Sequence, residues 1–321
     1  MHKPVIALAM GDPAGVSPEL TAKAVALAEI RDAADVVVIG DRRVFDEGAK
    51  IAGVRIHDLE FQDLPLPKLS KIQKSVASKE GGQSALANYR HALRMVADGK
   101  AQAVCFTPFN KQAMKLADPS YDDEIRFTAG VLGFKGVATE FNVLDKLWNA
   151  RVTSHIPLSK VASSLSIDNI VEALELTETA LRAAGFNPPR IGVAALNPHA
   201  GDGGNFGREE IDIIEPAVKK ARAKGLPVEG PYPADTVFVR AKGGQFDAVL
   251  TMYHDQGQIA MKLLGFDRGV TVLGGFPFPI CTPAHGTAYD IAGKGVANIG
   301  ATRAALLLAA QMACRQAATQ L

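Results

Sequence analysis

Short β-rich runs alternate with longer helical stretches from the amino terminus onward, and this alternation constrains the fold more than any other feature of the chain. Residues 5–10 read as a strand, a helix follows from about Pro18, residues 35–39 form the next apolar run, and another helix starts near Arg42. Ser17 is a candidate N-cap, with Pro18 at the first helical position. Residues 81–98 then read as a helix and 103–106 as a strand. Parallel strands need a long crossover, usually a helix, so this rhythm predicts a mainly parallel sheet. After a polar, proline-containing stretch at 115–126 the texture changes. Runs 138–145 and 147–153 are separated by Lys146 alone, as in a tight antiparallel pair, and suit the start of a second domain. Residues 167–184 form an amphipathic helix closed by Gly185, followed by strand 191–196, helix 209–224, a Gly/Pro-rich segment, strand 246–253 and a terminal helix over 300–318. A chain of 321 residues usually divides into two domains, so the expectation is an α/β protein of two domains.

Apolar residues make up 47% of the chain and charged residues 21%, enough to fill sizeable cores and too little charge for disorder. With 35 basic and 34 acidic side chains the net charge is +1, and bulk electrostatics suggests neither nucleic acid nor an anionic membrane as partner. The apolar run before Gly11 is too short for a signal-peptide core, and no stretch reaches the length of a spanning helix, so a cytoplasmic protein is expected. Cys105, Cys281 and Cys314 are too few and too far apart for a disulfide framework and read as buried thiols.

Three of the seven histidines share one setting: His155, His199 and His254 each fall at or just beyond the C-terminal end of an expected strand, where open α/β sheets bind ligands. Neutral imidazole is a common ligand for divalent ions, and three protein nitrogens leave positions open for substrate. Taken singly, each could equally be a structural histidine; the shared position is what raises the metal reading. The loop at 197–207 around His199 is glycine-rich but lacks the spacing of a dinucleotide or phosphate fingerprint. In HGTAYDIAGKGVANIG, His285, Gly286, Gly293, Asp290 and Asn298 combine close backbone approach with hydrogen-bonding groups, without naming a ligand. Asp12 stands in a Pro/Gly turn after the first strand, where it reads as both a turn residue and a ligand contact.

MGDPAGVSPE, TSHIPL, LNPHAGDGG, PADT, MYHDQG, LLGFDRGV and AHGTA occur in the order found in the 4-hydroxythreonine-4-phosphate dehydrogenase (PdxA) family, which the chain resembles almost end to end. The resemblance implies a fold like isocitrate and isopropylmalate dehydrogenases: two α/β/α domains, a cleft between them, and a homodimer that completes each active site. The domains are expected at 1–130 plus 270–321, carrying the cofactor segment, and at 131–269, carrying the histidines and dimer contacts. The resemblance also turns His285 to Asn298 into a nicotinamide site, for NAD or NADP. It places the family's metal ligands on His155, His199 and His254, for Zn, Mg, Mn or Co. The family's substrate-contacting Asp and Lys fall on Asp235 and Lys262, with Lys262 expected in proton transfer or oxyanion stabilisation. Where the family has Gly-His-Thr-Glu, this chain has Asp123, Glu124, Ile125 and Arg126, and the family's Asn and Arg are matched by Thr271 and Ile280.

The reaction expected is metal-assisted oxidation of a small hydroxy acid by NAD, with decarboxylation following if a carboxylate lies β to the new ketone. Asp12, Glu124, Arg126 and Thr271 are the expected substrate contacts. Three substrates stay open: 4-phosphooxy-threonine, another phosphorylated sugar acid, or an unphosphorylated carboxylate such as an aromatic cis-dihydrodiol. Glu124 beside a phosphate, and Ile280 in place of an Arg, predict poor turnover of the first. Glu124 and Arg126 could also simply pair on the surface. A ligand-binding descendant without chemistry is the rival class, and the retained histidines, Asp235 and Lys262 argue against it.

Overall fold

The structure, a computed structural model, describes residues 3–319 and divides into two compact units, 1–139 with 270–321 and 140–269. In the first unit β1 (Val5–Ala9) leads into α1 (Ser17–Ala26) and α2 (Ala28–Ala33). Then come β2 (Asp35–Gly40), α3 (Arg42–Ala52), β3 (Glu60–Asp63), α4 (Lys79–Ala97) and β4 (Ala103–Phe106). β1 pairs in parallel with β2 and β4, setting Ala7 opposite both Val37 and Val104. One face of these strands, including Ala7, Ala9, Val37, Ile39, Val104 and Phe106, packs on Ala85, Tyr89, Leu93 and Val96 of α4. The alternate residues Ile6, Leu8, Val38 and Cys105 are equally buried. Burial on both faces is why these strands read as unbroken apolar runs.

Residues 115–126, read as a polar connection, instead contain the end of α5 (Lys111–Ala117) and the start of α6 (Glu124–Leu132). Asn110 and Asp123 cap them by accepting from the backbone N–H of Ala113 and Arg126. Ser17 is not a cap: it lies inside α1, follows Val16 at the N-cap, and donates its hydroxyl to the Pro108 carbonyl at 2.7 Å.

The second unit opens with the hairpin β5 (Thr139–Leu144) and β6 (Leu147–Arg151), joined by Asp145 and Lys146, with Val143 opposite Trp148. A short α7 (Val161–Ser164) precedes α8 (Ile167–Ala184), which is closed by a Ser166–Asn169 capping box and by left-handed Gly185. β7 (Ile191–Ala194), α9 (Glu215–Ala223), β8 (Val228–Tyr232), α10 (Ala234–Lys242), β9 (Ala248–Thr251) and α11 (His254–Gly265) follow. The strand order is β5-β6-β9-β7-β8, with β6, β9, β7 and β8 parallel.

The chain then returns to the first unit with β10 (Val270–Gly274), β11 (Ile280–Pro283) and α12 (Gly300–Thr319), completing the order β3-β2-β1-β4-β11-β10. β11 runs parallel to β4, with Cys281 opposite Cys105, and antiparallel to β10. Cys105 and Cys281 are buried; Cys314, on α12, is exposed, contrary to its expected burial.

Candidate active site

β6, β9 and β7 are adjacent and parallel, so their C-terminal ends lie along one edge of the second unit. His155 follows β6, His254 is the first residue of the helix after β9, and His199 follows β7. The imidazoles of His155 and His254 stand 5.6 Å apart between ring centroids. His254 Nδ1 and Asp255 Oδ1 are 2.6 Å apart; a proton held on Nδ1 by that carboxylate leaves Nε2 as the available lone pair. Gln256 ties the two strand ends together, accepting from the Met252 N–H and donating to the Ala195 carbonyl. The turn bearing His155 is fixed by Thr153, which bonds the Met252 carbonyl, and by buried Arg151, which donates to Ser154, Asn142 and Glu140.

His199 is not part of that pair. It opens a run of five left-handed residues, His199 to Gly203, with φ of 53, 55, 80, 45 and 65°. For the non-glycine members this conformation costs about 1–2 kcal/mol each, so the surroundings must enforce it. Among the described residues no group of three or more His, Cys, Asp or Glu is close enough to hold a metal ion. The donor chemistry of the His155–His254 pair, with a carboxylate orienting one ring, fits a divalent ion. Lys262 and Asp235 are both exposed, Lys262 two turns along α11 and Asp235 in the first turn of α10.

In the first unit, the stretch from His285 to Asn298 is bound to the turn after β1. Tyr289 donates its hydroxyl to Asp12 at 2.5 Å, Val16 N donates to the Thr287 carbonyl, and Ser75 donates to the Tyr289 carbonyl. Glu19, nearly inaccessible, accepts from Gly295 N and Ala297 N, while Lys23 donates to the carbonyls of the same two residues. Gly295 is required by the fold itself, since a Cβ there would meet the Ile51 carbonyl at 2.6 Å. At Gly286 nothing lies within 4 Å of a Cβ position, and at Gly293 only the Lys74 stem at 4.0 Å. Backbone open at these two glycines suits close approach of a cofactor. Asp290 is exposed, His285 bonds the Gly286 carbonyl through Nδ1, and the Asn298 side chain accepts from Gly300 N at the start of α12.

Asp12 is 1% exposed and accepts from Ala14 N as well as from Tyr289; burial holds its carboxyl above the usual carboxylate range. Glu124 and Arg126 do not pair with each other. Glu124 lies 3.5 Å from the Lys111 ammonium, and Arg126 pairs with Asp122 while lining a surface pocket with Arg90 and Arg94. Tyr121 is buried beside them, and its hydroxyl has no hydrogen-bond partner among the described residues. Burial, then the Glu124 charge, push that phenol upward. Thr271 faces Thr282 across β10 and β11, and Ile280 is fully buried in the core. Lys111 and Tyr121 stand outside the sequence motifs, and Glu19 and Tyr289, although inside MGDPAGVSPE and HGTAYDIAGKGVANIG, carry no role there that the sequence announces; all four were reachable only through the three-dimensional contacts they make.

Residues 32–309 match the family model described as pyridoxal phosphate biosynthetic protein PdxA. A relative in Rhizobium meliloti, provisionally named 4-hydroxythreonine-4-phosphate dehydrogenase 2, is 61% identical over 99% of this chain and 95% of its own. D-threonate 4-phosphate dehydrogenase of Pectobacterium atrosepticum is 35% identical over 96% of this chain and 99% of its own. The crystal structure of 4-hydroxythreonine-4-phosphate dehydrogenase from Klebsiella pneumoniae superposes with a TM-score of 0.85 at 34% identity, covering 97% of this chain and 98% of that one. The chain is thus an α/β oxidoreductase acting on a CH–OH group. It belongs to the PdxA family.

Proposed function

We propose that this enzyme is a nicotinamide-dependent, divalent-metal-dependent dehydrogenase of a phosphorylated small hydroxy acid, working as a cytoplasmic homodimer. The observation that carries the reading is the His155–His254 pair at the C-terminal edge of parallel strands, with His199 following the next strand along. These three would hold the metal, with a second copy of the chain completing the set that one chain leaves incomplete. A bound divalent ion would supply Lewis acidity to the substrate's hydroxyl. Exposed Ile156, Leu158, Phe206, Ile259 and Leu263 lie in the segments that carry the histidines and favour such a contact. Lys262, on the histidine-bearing helix and without an ion pair among the described residues, is suited to take a proton from the hydroxyl or stabilise the oxyanion; Asp235 would accept from the hydroxyl or orient it. The open backbone at Gly286 and Gly293, with His285, Asp290 and Asn298 alongside, would receive NAD or NADP. Asp12, Glu124, Arg126 and Thr271 remain the substrate contacts of this reading.

The substrate class follows the relatives, whose names specify 4-hydroxythreonine-4-phosphate and D-threonate 4-phosphate. Phosphorylated metabolites and nicotinamide cofactors share the cytoplasm, which supports that location. Cofactor reduction should be followed with 4-phosphooxy-threonine, D-threonate 4-phosphate, their unphosphorylated counterparts and a cis-dihydrodiol carboxylate. A phosphorylated acid should be oxidised with kcat/KM above about 10⁴ M⁻¹ s⁻¹, the low end of ordinary enzymes. Faster turnover of the dihydrodiol or of the unphosphorylated acids would reverse the substrate assignment.

A further inference from the structure

Glu210 is 1% exposed, and no ion pair among the described residues neutralises its carboxylate. It is met by N–H donors from the chain just ahead of His199. Oε1 accepts from Leu196 N at 2.8 Å and Asn197 N at 2.7 Å, and Oε2 accepts from Asn197 Nδ2 at 2.9 Å. The second proton of that amide goes to Glu209 Oε2 at 2.6 Å. Glycine stands where the loop presses on these groups: a Cβ at Gly201 would meet Glu210 Oε2 at 2.7 Å, and one at Gly207 would meet Asn197 Nδ2 at 2.4 Å. Glu210 also begins a π-helical turn, Glu210–Ile214, a local widening that recurs at functional sites.

We propose that Glu210 is a positioning residue for His199: its carboxylate gathers the Leu196 and Asn197 N–H groups and so aims the left-handed turn that presents the imidazole. The chain needs some such anchor there, because His199, Ala200 and Asp202 hold a conformation that L-residues leave unless contacts fix it. A carboxylate suits the task because it accepts at both oxygens, whereas an amide would turn an N–H₂ group toward the Asn197 amide. The consequence for metal affinity rests on the reading of His199 as a ligand; the aiming of the ring does not.

The test uses full-length protein with ring-labelled histidine and cobalt(II) as the metal probe. The His199 signal is identified by its loss in His199→Ala. In Glu210→Gln that signal should shift or broaden while the other histidines stay in place, and cobalt affinity should fall at least tenfold. Should Glu210→Gln be insoluble, Gly201→Ala displaces the same carboxylate from the loop side and should give the same pattern. An unmoved His199 signal in a folded Glu210→Gln overturns the proposal. If His199→Ala binds cobalt as the wild type does, the metal reading fails, and the role of Glu210 is then decided by the His199 signal alone.

Discussion

Asp12 is a carboxylate that the fold keeps from water, held between Ala14 N and the Tyr289 hydroxyl. Because its folded pKa is raised above the ordinary 3.8, the native state retains a proton that the unfolded chain has already released. That contribution to stability is full below the ordinary value and is lost as pH rises through the raised one. Asp12→Asn should therefore gain stability relative to wild type between pH 4 and pH 7, measured as the difference in thermal midpoint. A constant difference across that range would mean the charge is not being desolvated. The Lys111–Glu124 pair changes the argument about a phosphorylated substrate, since an ammonium 3.5 Å from Glu124 offsets the repulsion expected from Glu124 alone. Ile280, sunk in the core, supplies no replacement for an arginine. Lys111→Ala should raise KM for the phosphorylated acid about fivefold, near 1 kcal/mol, the upper range for an exposed pair. An unchanged KM would place Glu124 outside the substrate site.

At the scale of elements, the 285–298 stretch depends on α1, where Glu19 and Lys23 hold both the N–H and carbonyl groups of Gly295 and Ala297. Glu19→Ala leaves two backbone donors and an ammonium without their acceptor and should cost about 2–4 kcal/mol in denaturant unfolding. A loss under 1 kcal/mol would show that water replaces the carboxylate. Gly293→Val forces a β-branched residue to φ 77° in open space, a strain of about 1–2 kcal/mol. Calorimetry should show weaker NAD binding with metal content unchanged; the opposite pattern would mean that the cofactor and metal sites had been exchanged. Strongly patterned elements were legible from sequence: β4, and α8 between Ser166 and Gly185, fall where apolar periodicity and caps put them. α5 and α6 were not, because Asp118, Asp122 and Asp123 give the connection between them the texture of a linker although Asp123 is a cap. β8 contains Gly230 and Pro231, residues that argue against a strand, and it is tolerated at the sheet edge, where a missing N–H leaves no ladder partner unpaired.

For the molecule as a whole, alternation of strands and helices was enough to specify a parallel α/β fold, and His155, His199 and His254 do lie just beyond strand ends, as expected. Strand order was not legible, because adjacency is decided by packing between distant segments; it sets β7 beside β9, and what holds His199 apart from the other two is the left-handed loop after β7, whose path the glycine spacing did not reveal. That separation gives the proposed dimer its clearest test. Ile259 and Leu263 lie one turn apart on α11, the helix that begins at His254, and are 61% and 83% exposed. Covering such side chains yields about 2 kcal/mol each, and a two-fold interface uses them twice. Ile259→Asp combined with Leu263→Asp should weaken self-association by at least about three orders of magnitude, since every 1.4 kcal/mol is tenfold. Sedimentation velocity should then show a dimer for wild type and a monomer for the double variant, and elemental analysis should show the monomer depleted of metal, as in His199→Ala. Neither residue is a metal donor, so metal lost together with the dimer would mark the second copy as part of the binding site. A monomeric wild type carrying a full complement of metal would instead require all three histidines to close on the ion within one chain.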